Sequence, residues 1–184
     1  SDQAVENFVQ SLAVNRETVG LHLSIGAHFR NKGETDRAIL IHQNLLARPE
    51  LPGHFSPQVT FELARDYLAA GLLDRAEALF HQLMDDRGYG ERAAAELIEL
   101  YQQEKEWGKA AQVARTLMKS RLDPQLARQL AYITCELADD CLHRDDRWGT
   151  QKLVREALSI DANCVRASFI LSTLQARQGN YREA

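Results

Sequence analysis

Apolar residues recur along this chain at helical spacing, in amphipathic runs broken by short polar turns. Residues 1–14 place Val5, Phe8, Val9 and Leu12 on one helical face. Residues 19–31 form the next expected helix, turning at Asn31, Lys32 and Gly33, and residues 36–47 pack back along it. Residues 49–57 are rich in breakers; Ser56 is placed to cap the following helix and Pro57 to take its first position. Residues 57–70 and 74–86 then pair, as do 91–104 and 108–120 with Trp107 at the turn. Asp123 and Pro124 repeat the cap-and-proline signal and open a longer helix towards Leu142. Residues 149–160 complete that pair, and 165–178 turn at Gly179 and Asn180 into a last short segment. About ten helices and no sheet are predicted.

One stretch sets the register. Tyr67 is followed by Gly71, Ala76 and Phe80, an aromatic, a helix-stopping glycine, a small contact residue and a second aromatic. Aligning on Ala76 gives Ala4, Ala38, Ala76, Ala110, Thr150 and Ala184, which advance by 34, 38, 34, 40 and 34 residues. A helix, a tight turn and a second helix recurring every 34 residues is the tetratricopeptide repeat pattern. The fold expected is therefore an all-α, right-handed superhelical solenoid, a single array over residues 1–184. It reads as a half-unit at 1–18, units at 19–56, 57–90, 91–130 and 131–164, and a truncated unit at 165–184. Thr150 marks the 131–164 unit as the degenerate one.

Composition narrows the class. The chain is 45% hydrophobic and 26% charged, as a folded protein is, and four prolines and ten glycines leave no long flexible linker. A net charge of −4 without runs of Lys or Arg argues against nucleic acid as a partner. No apolar run approaches the roughly 20 residues of a membrane span, so direct membrane insertion is not expected. Three cysteines with no close pair point to free thiols and a cytoplasmic location.

No catalytic or cofactor constellation is visible. His22 and His28 lie six residues apart, about 120° around a helix, and cannot hold one metal together. His42 stands where Phe80 stands in the next unit, which favours packing. Cys135, Cys141 and Cys164 lack the spacing of a zinc site, so no metal and no cofactor are expected. The acidic pairs Asp139-Asp140 and Asp145-Asp146 read as solvated helix ends. Phosphate loops, zinc-protease motifs and nucleophile elbows are missing, so the chain is not expected to be an enzyme.

What remains is surface. In such repeats the first helix of each pair lines a concave groove, and the register assigns it Arg30, Asn31, Phe61, Glu62, Arg65, Arg92, Glu99, Tyr132 and Arg166. This mixed apolar and charged set suits a protein segment. Arg30 and Arg65 in particular are expected to face a partner's carboxylates. The Lys, Asn and Arg clamp of repeats that bind chaperone tails is absent: Phe61, Glu62, Arg65, Ala95 and Glu99 stand in its place. Because the chain begins and ends in mid-repeat, self-association through exposed ends is expected, with Phe8 and Leu12 at one end and Ile170, Leu171 and Leu174 at the other.

Residues 23–43, 65–77 and 135–138 resemble the lipopolysaccharide assembly protein B family, above all in the run Arg37-Ala38-Ile39-Leu40-Ile41-His42-Gln43. The similarity spans essentially the whole chain, both insertions included. It implies an adaptor that regulates lipid A synthesis by linking a membrane-bound ATP-dependent protease to the lipid A deacetylase. It also implies an anchor holding the full-length protein to the cytoplasmic face of the bacterial inner membrane, and a rubredoxin-like zinc domain; neither is in this sequence. A general repeat scaffold in another pathway, such as secretion or cell division, is the alternative.

Overall fold

The computed structural model describes residues 16–120, 123–177 and 179. Among these residues there are nine α-helices and no strand. They are α1 (Arg16–Asn31), α2 (Thr35–Leu46), α3 (Ser56–Ala69), α4 (Leu73–Leu83), α5 (Gly90–Gln103), α6 (Trp107–Ser120), α7 (Pro124–His143), α8 (Arg147–Ile160) and α9 (Val165–Arg177). The helix expected at 1–14, with Phe8 and Leu12, lies outside the described residues, as does Ala184.

The turns follow one rule. Five positions before each register residue the backbone is left-handed: Gly33, Gly71 and Gly179, but also Lys105 and Asp145. In the turn after α1 the Glu34 amide donates to the Phe29 carbonyl and the Gly33 amide to Arg30, both at 2.9 Å. The same two bonds run from Leu72 to Tyr67 and Gly71 to Leu68, from Glu106 to Tyr101 and Lys105 to Gln102, and from Asp146 to Cys141 and Asp145 to Leu142. This is the Schellman closure, which satisfies the last carbonyls of a helix and needs φ > 0 at one residue. Lys105, at φ 58, adopts it without glycine's freedom. Lys105→Gly is therefore expected to raise stability by up to about 1 kcal/mol, read as a higher urea midpoint.

The small register residues sit at the helix-pair contacts: Ala38, Ala76, Ala110 and Thr150 are fully buried. Thr150 fits because its hydroxyl is satisfied, donating to the Asp146 carbonyl at 2.7 Å. Two caps differ from expectation. Ser56 does not cap α3, because a 3₁₀ turn at Gly53–Phe55 runs directly into it and Phe55 takes the preceding place with no side-chain bond. Asp146 is no idle solvated acid; it caps α8, accepting from the Gly149 amide at 2.9 Å. Asp123 caps α7 as expected, accepting from the Gln125 amide at 2.8 Å.

The chain divides into two compact units, up to Glu96 and from Leu97 onward. In the first, α1–α2, α2–α3 and α3–α4 pack consecutively, and α1 also meets α3. In the second, α6–α7, α7–α8 and α8–α9 pack consecutively, and α7 also meets α9. Contact between one first helix and the next first helix is what builds a continuous repeat face. Val19, Leu23, Leu45 and Val59 form a core in the first unit, and Ala138, Leu142, Val154, Ile170 and Leu174 belong to a larger one in the second.

Candidate functional site

Within the first unit the face of α1 and α3 is charged and already paired. Arg30 donates to Glu62 Oε2 at 2.8 Å and to Asp66 Oδ1 at 2.6 Å. The other Asp66 oxygen meets Nδ1 of His42, which α2 delivers from behind. Asp66 and His42 are completely buried, and the Arg30 side chain is only 9% exposed. Burial works against the Arg30 charge, but hydrogen bonds to Asp66 and Glu62 outweigh it and raise the guanidinium's pKa further. His42 Nε2 has no partner and points at Gly26, where an added Cβ would lie 2.3 Å away.

Glu62 is joined from its other side by Arg65 at 3.5 Å, and Arg65 reaches on to Glu96 of α5 at 3.8 Å. Arg92 lies over the rings of Phe61 at 4.3 Å and Tyr89 at 5.0 Å. In the second unit Arg166 of α9 reaches back to α7, bonding Glu136 and Asp139 at 3.1 Å each. Glu62, Glu96 and Glu136 occupy the same register position, 14 residues before Ala76, Ala110 and Thr150. Each takes an arginine from a neighbouring first helix, so an Arg–Glu contact between first helices recurs within each unit. Tyr132 stands beside Glu136, 46% exposed, edge-on to Trp107 at 6.4 Å. Partial burial, then the Glu136 carboxylate, raises the pKa of its phenol, keeping it a neutral donor.

Two of the groove assignments need correction. Phe61 is only 2% exposed and packs edge-on to Phe80, so it is a core residue and not a contact for a partner. Arg30 is bound to Asp66 and Glu62 and does not face outward, because α3 presents two carboxylates one helical turn apart directly opposite it. Asn31, Arg92, Glu99 and Tyr132 are exposed, and Glu62, Arg65 and Arg166 are half-exposed. Ile170 and Leu174 are in the core of their unit, not uncovered. The exposed apolar residues of α9 are Val165 and Phe169.

Sequence reasoning missed Asp66, the centre of the buried network; its place four residues after Glu62 on one face was the available signal. It also separated the cysteines, whereas the structure brings Cys135 and Cys164 to 3.5 Å. His22 is buried and bonds its own helix at Thr18, and no three potential metal-binding side chains converge among the described residues. No helix among them is long and apolar enough to cross a membrane.

These helix pairs make the chain an all-α tetratricopeptide repeat protein. Solved structures with the same arrangement include MamA from Desulfovibrio magneticus RS-1, with a TM-score of 0.57, 12% identity and coverage of 93% of this chain and 90% of that one. Another is a Podosopora anserina putative kinesin light chain with TPR-like repeats, with a TM-score of 0.51, 14% identity and coverage of 90% and 88%. At such identities they speak for the fold alone. No family model matches the chain. The chain is similar to lipopolysaccharide assembly protein B: it is 37% identical to that of Escherichia coli (strain K12) over 183 residues, all of this chain and 47% of that protein. The Haemophilus influenzae protein of the same name is 35% identical over 191 residues, 99% of this chain and 44% of its own length. The chain thus spans a little under half the length of these curated relatives.

Proposed function

We propose that this chain is a non-enzymatic, protein-binding adaptor segment in the control of lipopolysaccharide synthesis, requiring no cofactor or metal. The observation that carries this reading is the 37% identity to lipopolysaccharide assembly protein B across the whole of the chain. The resemblance extends the proposal to two partners, a membrane-bound ATP-dependent protease and the lipid A deacetylase, met at the cytoplasmic face of the inner membrane. The repeat face supports it physically. Arg65 and Arg92 keep exposed guanidinium groups beside apolar stems and rings, a combination enriched where interfaces hold most of their energy.

Arg30 is unsuitable for testing that face, since its loss would damage the fold. Arg65→Glu with Arg92→Glu is the suitable pair. The double variant is expected to bind deacetylase or protease at least about tenfold more weakly, about 1.4 kcal/mol, with helix content unchanged. Titration of full-length protein against each partner reads this. Unchanged affinity for both partners would move the binding face elsewhere.

A further inference from the structure

We propose that Cys135 and Cys164 form a thiol modification site that takes a small-molecule disulfide as oxidant and closes to a bond stapling α9 to α7. Cys135 lies in the middle of α7, and Cys164 immediately precedes α9. Their sulfur atoms are 3.5 Å apart, both inside the core cluster of the second unit. Closure to about 2.05 Å asks for an approach of about 1.5 Å. The movable partner is Cys164, which sits at the turn between α8 and α9, where its amide donates to the Asp161 carbonyl at 3.1 Å. Helix ends open more readily than helix centres, so opening the start of α9 exposes Cys164 first.

The chemistry follows from that asymmetry. The Cys164 thiolate attacks one sulfur of the small disulfide and expels the other as a thiolate, leaving a mixed disulfide. Cys135 then loses its proton to solvent, attacks the Cys164 sulfur and expels the second thiolate. Two protein thiols are oxidised and one small disulfide is reduced to two thiols, so atoms and electrons balance. Burial, then the hydrogen bond to Cys164, push the Cys135 thiol up to about 12, which makes it the second and slower participant. Closure also fixes the surface beside it. Glu136 follows Cys135 and Arg166 lies two residues after Cys164, so the bond would pin the pair that meets at 3.1 Å next to Tyr132.

Cys141 provides an internal control: half-buried, with Arg144 at 3.9 Å as its polar neighbour, it is paired with neither of the others. Folded wild-type protein incubated with oxidised glutathione, then digested without reduction, is expected to yield one Cys135–Cys164 crosslinked peptide. The protein mass should fall by two hydrogens once Cys141 adducts are discounted, and the melting temperature should rise by about 5–10 °C. Cys141→Ser should retain the crosslink. Crosslinks involving Cys141, a glutathione adduct persisting on Cys164 without closure, or Cys135 and Cys164 both remaining reduced while Cys141 reacts would each overturn the proposal. Wild-type peptide mapping decides this without any variant having to fold.

Discussion

Asp66→Ala is expected to destabilise the first unit by about 3–5 kcal/mol, the loss typical when one partner is removed from a buried ion pair. The Asp66 carboxylate is wholly buried and accepts from Arg30 and His42 at once. Without it His42 keeps two unpartnered ring nitrogens in the core, and Arg30, 9% exposed, retains Glu62 as its carboxylate partner. Each repeat contacts mainly its neighbours, so the damage should be local. Hydrogen exchange should show amides of α1, α2 and α3 losing protection while α7, α8 and α9 keep theirs. Arg65→Ala is the contrast: its side chain is 41% exposed, and an exposed pair contributes about 1 kcal/mol or less. Equal effects of the two substitutions would mean that the buried network does not hold α1, α2 and α3 together.

Gly26→Ala is the second large effect, and its sign is the informative part. In an ordinary helix interior this change stabilises by about 1 kcal/mol. Here the new methyl would meet His42 Nε2 at 2.3 Å and Cε1 at 2.4 Å. The imidazole cannot retreat, because its Nδ1 is held by Asp66 on the far side. Overpacking should therefore win, for a net loss of about 2 kcal/mol, measured by urea denaturation. In a His42→Ala background the obstruction is gone, and Gly26→Ala should then stabilise. A double-mutant cycle reads that reversal directly. The same loss in both backgrounds would show that the glycine serves the backbone and not the histidine.

The two arguments mark where legibility stopped. Gly33 and Gly71 announced their turns, and Ala38, Ala76 and Ala110 their helix-pair contacts, because both needs are met within one repeat by backbone geometry. Lys105 and Asp145 carry no such announcement, yet the register alone predicts the bend that they supply. His42, assigned to packing from its equivalence with Phe80, is indeed fully buried, but it also bonds Asp66. Gly26 gave no signal in isolation, since the atom that requires it comes from the next helix.

By itself, then, the sequence determined the repeat period, the helix pairs, the all-α tetratricopeptide fold and the resemblance to lipopolysaccharide assembly protein B. These depend on spacings within tens of residues and on residue types that a turn or a close helix contact demands. Only the tertiary structure decided which charges on the repeat face remain exposed. The register sends both Arg30 and Arg65 to the groove, eight and eleven residues before Ala38 and Ala76, but Arg30 reaches Glu62 and Asp66, 32 and 36 residues away, and is buried against Asp66. Arg65 meets Glu62 and Glu96 at longer range and stays half-exposed. The difference lies in which carboxylates the following first helix brings within reach, Glu62 and Asp66 for Arg30 but Glu96 for Arg65, and spacing within either helix does not encode that docking.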